Sequence, residues 1–151
     1  MAELEATLEA LVRDEAHDVV AAGRANIEVR YENSTGGSYR VISLVPIRKS
    51  ACPVTIVAQS DREVSFFVGP PREREAMTVD LWDRDQGELL DGVRAYLRAV
   101  LAGRVEVDAR SGSSGGRVTF VLEDAQRHRH YYNAMAGPRL QPWARHRFDP
   151  Y

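Results

Sequence analysis

Two stretches of helical periodicity, separated by paired stretches of strand periodicity, dictate what this chain can become. An amphipathic helix comes first, then short strands in pairs, then a second amphipathic helix, then one more strand pair. A tail rich in aromatic residues, arginine and histidine ends it. Strands joined by tight turns pair antiparallel, and a helix with one apolar stripe must cover something. The order predicts an α+β fold. It is a mostly antiparallel sheet of about six strands with two amphipathic helices on one face, in the order α-β-β-β-β-α-β-β plus the tail.

Leu4, Leu8, Leu11, Val12, Val19 and Val20 form one stripe over residues 3–22. Acids crowd its first half, where the positive end of the helix dipole favours them, and Gly23 is the expected stop. Residues 26–32 alternate: Ile27, Val29 and Tyr31 point one way, Glu28, Arg30 and Glu32 the other. The turn 33–38 leads into a strand over 39–47. Strands 54–59 and 63–69 form a hairpin about Ser60, Asp61 and Arg62. Residues 72–84 read either as a short strand through Met77, Val79 and Leu81 or as the approach to the next helix. That helix opens on Asp85 and Glu88, spaced as a capping pair. It carries Leu89, Leu90, Val93, Leu97, Val100 and Leu101 at helical spacing, and Gly103 closes it. Strands 104–110 and 117–123 flank the loop SGSSGG.

The size, 151 residues, predicts a single domain over 1–151, with 125–151 packing on the sheet or on a partner. Hydrophobic residues at 44% and charged residues at 28% are ordinary for a globular protein. No stretch approaches the ~20 apolar residues of a membrane helix. The acidic N-terminus lacks a signal peptide's layout, so the expected location is cytoplasmic and no membrane partner is expected. Cys52 is the one cysteine, which excludes an internal disulfide and any multi-cysteine zinc site. It reads as a buried or half-buried thiol in a reducing compartment. Lys49 is the one lysine; the arginine and alanine bias suggests a GC-rich bacterial genome.

The net charge of −2 hides an asymmetry. Residues 125–151 hold five arginines and one acid, Asp149, so the rest of the chain is acidic. An acidic body argues against whole-domain nucleic-acid binding, which uses a broad basic face. It allows the tail to fold back on that body.

Several strands are apolar on both sides. Strand 39–47 sets Val41, Val45 and Ile47 against Ile42 and Leu44. Strand 63–69 sets Val64, Phe66 and Val68 against Phe67, and strand 117–123 sets Val118, Phe120 and Leu122 against Val121. The face away from the helices should therefore carry an oily centre. Its expected members are Ile42, Leu44, Phe67, Val121 and either Thr55 with Val57 or Val54 with Ile56. Leaving each such side chain wet forgoes ~1.5–3 kcal/mol. The expected cover is the tail, with Tyr131, Tyr132, Trp143 and Phe148, or another protein chain.

The segment Arg127 to Asn133, RHRHYYN, is the most conspicuous local feature. If extended, it puts His128 and His130 on one face, but zinc needs three or four ligands. Arginine and tyrosine are favoured at interfaces, so a structural or partner-docking tail is the reading. The acids Asp80, Asp83, Asp85 and Glu88 lack calcium-loop spacing. Ser113 and Ser114, set among glycines, read as a loop and not as a nucleophile elbow, which lies between a strand and a helix, and no phosphate-cradling glycine motif occurs. No metal, cofactor or catalytic residue is expected.

The helix–strands–helix–strands order resembles, at the level of fold alone, secretion-chaperone-like and small bacterial immunity domains, and carries no site residue over. The expected function is a non-enzymatic protein-interaction module of the binding, chaperone-like or immunity type, dimeric, with a protein partner. Its expected contacts are Arg127, Arg129, His130, Tyr131, Tyr132, Trp143, Ile42, Leu44, Phe67 and Val121. The alternative is a small ligand-binding domain or enzyme with a pocket between sheet and tail, using Arg129, His130 and Tyr132.

Overall fold

The computed structural model describes residues 1–69, 77–82, 85–110, 116–132 and 143–151. Side chains are described there except at 77–80, 82, 109–110, 131–132 and 143–144. The first helical stripe forms two helices rather than one. Helix α1 spans Ala2–Glu15 and buries Leu4, Leu8, Leu11 and Val12; α2 spans His17–Ala21. The fully buried Ala16 separates them, and the bend lets Val19 and Val20 both pack on the core. Arg24 N–H donates to the Val19 carbonyl across Gly23, whose φ is 68°, which closes α2 in the left-handed manner expected of glycine.

Five strands follow as an antiparallel meander. They are β1 Ala25–Ser34, β2 Gly37–Pro46, β3 Val54–Ser60, β4 Glu63–Val68 and β5 Met77–Trp82. The ambiguous stretch before the second long helix thus contains a strand, β5. Helix α3 spans Gln86–Leu101, and the Asp85 carboxylate accepts from Glu88 N–H at 2.9 Å, as the capping pair predicts. A second antiparallel sheet has the order β8-β7-β6-β9, from β6 Val105–Arg110, β7 Gly116–Val121, β8 Arg127–Tyr132 and β9 Trp143–Arg147.

The α+β class holds, but the single sheet of about six strands is replaced by a five-stranded and a four-stranded sheet. The reason is the tail. Its alternating sequence at 127–132 and 143–147 pairs with β7 and β6 and becomes the two outer strands of the second sheet, instead of lying over the first.

One core joins both sheets. Leu4 and Leu8 of α1 and Leu89, Val93, Leu97 and Val100 of α3 pack with Ile42, Ile56 and Phe66 of the first sheet and Val105, Val118 and Phe120 of the second. Tyr96 of α3 stacks on Phe120 at 4.2 Å between ring centres and meets Phe66 edge-on at 6.2 Å. Arg94 and Arg98 of α3 both pair with Glu15 of α1.

The register overturns the expected oily reverse face. Ile42 stands opposite Ile56 and Leu44 opposite Val54, all on the helix-covered side, so Ile42 and Leu44 belong to the core. Phe67 lies on the other side of the first sheet and Val121 on the outer side of the second, so these four residues form no common patch. A strand apolar on both sides leaves its phase open; here the larger pair, Ile42 and Leu44, faces inward. The reverse of the first sheet is mixed. Val41 and Val57 are buried there apart from the principal core, beside a hydrogen bond of 3.0 Å between the Ser43 and Thr55 hydroxyls.

The C-terminal residues hold the two halves together. Asp149 N–H donates to Ser50 O and Tyr151 N–H to Leu101 O. The Tyr151 hydroxyl donates to the Cys52 carbonyl, with the Leu44 carbonyl 3.4 Å away, and burial pushes its pKa well above the usual tyrosine value. Cys52 is fully buried and burial pushes its thiol up to about 12, which suits an inert thiol.

Gly103 closes α3 with φ 68°, and a Cβ there would lie 2.7 Å from Pro150 N and 2.9 Å from Phe148 O. Gly23 has the same φ with open space around it. Gly23→Ala should therefore cost only the backbone strain, about 1 kcal/mol. Gly103→Ala adds a backbone collision and should cost about 2–4 kcal/mol. Urea unfolding of the two variants checks the contrast.

Candidate functional site

Strand β8 divides the conspicuous tail sequence between two environments. Alternation sends Arg127 and Arg129 to the outer face and His128 and His130 toward α3. The register extends the outer face across the sheet. One row runs Arg129, Thr119, Glu106, Arg147; the next runs through Arg117, Asp108 and Arg145. Val121 sits half-buried at the end of this face, opposite Arg127.

Five arginines thus share a face with two carboxylates from the central strand β6. Glu106 receives Arg127 at 3.1 Å and Arg147 at 3.4 Å. Asp108, with 2% of its side chain exposed, receives Arg117 at 2.5 Å and Arg145 at 2.9 Å. Burial alone would raise the Asp108 carboxyl; the hydrogen bonds from Arg145 and Arg117 outweigh it and hold the group below the usual carboxylate range. Arg129 is exposed and has no hydrogen bond or ion pair among the described residues. Among the described side chains of these strands, five arginines against two acids give the face +3. With the whole chain at −2, everything else sums to −5.

On the inner side, the Tyr96 hydroxyl lies 2.7 Å from His130 Nε2 and 3.1 Å from His128 Nδ1. Its one proton can go to only one of the two nitrogens, so the other ring must donate. Desolvation, then the neighbouring His128, hold His130 below the ordinary imidazole value. The two histidines do share a face, but no cluster of three metal-ligating side chains forms among the described residues.

The residues picked out by sequence therefore scatter. Arg127 and Arg129 stand on the outer face. His130 is successive to Arg129 and points the opposite way, so those two cannot line one pocket. Tyr131, Tyr132 and Trp143 lie on β8 and β9, with side chains outside those described. Phe67 is half-buried on the first sheet. Residues 133–142 of the tail, with Arg139, and the acid Asp83 also fall outside the described residues. A notch of about 240 Å³ opens elsewhere, between Gly23, Arg24, Ile47, Arg48, Ala51 and Tyr151. It is below the ~300 Å³ at which ligand pockets begin.

Sequence reading missed Tyr96, Glu106 and Asp108. Tyr96 sits three residues after Val93 on the buried stripe, and a tyrosine there needs a partner for its hydroxyl. Glu106 and Asp108 looked like a solvated strand face; the signal was their position in the strand before an arginine-bearing partner. Neither a protein-family model, nor a curated protein, nor a solved structure matches the chain.

Asp108→Asn removes the charge that fixes Arg117 and Arg145, and should lower stability by about 1.5–3 kcal/mol at neutral pH. Because the folded carboxyl titrates below its unfolded value, this loss should shrink as pH falls through the acid range. His130 has the opposite window. As pH drops through its unfolded value of ~6.5, the unfolded chain binds a proton that the folded state resists, so stability falls. Urea unfolding at neutral and mildly acidic pH should show a shallower fall for His130→Gln than for the parent.

Proposed function

We propose that the chain is a non-enzymatic protein-interaction module, of the binding, chaperone-like or immunity type. It docks an acidic protein surface on the outer face of its second sheet. The observation that carries this reading is a face at +3 over its described side chains, with Arg129 exposed and without an ion pair among the described residues. Arginine held in place by a carboxylate has already lost rotamer freedom, so it contacts a partner's carboxylates at lower entropic cost than a loose side chain. The acidity of the rest of the chain argues for a partner with a local acidic patch rather than for a nucleic acid, which uses a broad basic face.

No helix among the described residues is long and apolar enough to cross a membrane. The buried thiol of Cys52 suits a reducing compartment. We place the module in the bacterial cytoplasm.

A second reading is favoured by the cluster of Tyr96, His128 and His130. A half-buried imidazole held neutral beside a phenol is the equipment of a proton-handling site in a small ligand-binding domain or enzyme. In that reading Arg129, on the opposite face, takes no part.

Arg129→Glu should leave stability within about 0.5 kcal/mol, since the side chain is exposed and has no ion pair among the described residues. The immobilised parent should retain a specific protein from host extract that the variant loses at the same salt concentration. Identical capture by both, or retention that vanishes on nuclease treatment, contradicts the reading.

A further inference from the structure

We propose that the free edge of β1 pairs with β1 of a second copy of this chain, around a two-fold axis at Val29, merging two five-stranded sheets into one. This goes beyond the docking face, which lies on the other sheet. Among the described residues strand β1 bonds to β2 alone, and their register runs unbroken over ten residues from Ala25 to Ser34. The edge has no proline, lysine or bulge, the devices by which proteins blunt such edges. Residues 26–34 are all exposed or half-buried, and Tyr31, at 64%, is the most exposed large hydrophobic side chain among the described residues.

The hydrogen-bond phase decides which groups face outward. Ile47 N–H donates to Arg24 O at 2.9 Å, just before the ladder begins. Bonded pairs alternate in an antiparallel ladder. So Asn26, Glu28, Arg30 and Glu32 direct their backbone groups at β2. Ala25, Ile27, Val29, Tyr31 and Asn33 direct theirs away from the sheet.

These outward groups and the side chains between them are self-complementary about Val29. Val29 faces Val29 of the second copy, and Ile27 faces Tyr31, each pair with outward-directed backbone groups. Glu28 then faces Arg30, twice by symmetry, and Arg30 keeps its own Glu32 at 2.8 Å beside it. Moving the axis by one residue sets Glu28 against Glu28, or Arg30 against Arg30 with Glu28 against Glu32. Either choice puts like charges directly opposite. An axis at Tyr31 matches Arg30 with Glu32 but overlaps only residues 28–34. Charge and hydrogen-bond phase thus select the Val29 register.

Sedimentation of the intact protein over a micromolar concentration series tests this. The parent should be a dimer. Glu28→Arg and Arg30→Glu, both at exposed positions, should each weaken it by about tenfold or more while the circular dichroism stays that of the parent. An equimolar mixture of the two variants should dimerise again, because the arginines of one meet the glutamates of the other. The double reversal in one chain should do the same. A monomeric parent, single reversals that dimerise like the parent, or a mixture that stays monomeric would overturn the proposal.

Discussion

A sheet face with five arginines holds together only because Glu106 and Asp108 stand in the middle of it. Arginines at cross-strand and diagonal positions repel one another. Two carboxylates on the central strand reverse the sign of nearly every close contact. Exposed ion pairs contribute little singly, about 0.2–1 kcal/mol, so the pairs at Glu106 mainly arrange the face. Asp108 is different. It is buried, and both its oxygens accept from arginine. Strand β6 thereby recruits β7 on one side and β9 on the other, and what looked like a basic tail becomes folded sheet.

That recruitment also shapes the inner side. Once β8 lies beside β7, alternation forces His128 and His130 toward α3, where Tyr96 meets them. The same tyrosine stacks on Phe120 and touches Phe66, so one helical side chain reaches both sheets. The acidic body and the basic tail are complementary within one molecule, and the charge left over is what a partner can use. The first sheet is separate from this arrangement. Its exposed edge, β1, carries charges whose order reads the same from a second copy.

Much of the fold was legible in the chain. The capped start of α3 at Asp85, the glycine stops at 23 and 103, the first two hairpins and the helix-facing Val64, Phe66 and Val68 follow from local chemistry. The phase of 39–47 did not, because Val41 and Val45 compete with Ile42 and Leu44 and only the register with Ile56 and Val54 breaks the tie. The strands of the tail were hidden for another reason. RHRHYY has the alternation of a strand but no aliphatic residue to announce a buried side, and its described inward side chains are histidines that pack against a tyrosine. The docking residues were half visible: the arginines stood out, whereas the carboxylates that organise them are set by pairing distant in sequence, 106 with 147 and 108 with 145.

Amide hydrogen exchange resolved by residue, on the intact protein, tests the central claim most directly. If the arginines at 127–129 and 145–147 belong to strands built on β6 and β7, amides within 127–132 and 143–147 that bond to those strands should exchange slowly, alongside the core of β7. If both stretches exchange as fast as an unfolded chain while β2 to β4 stay protected, the arginine face does not exist and the account fails with it.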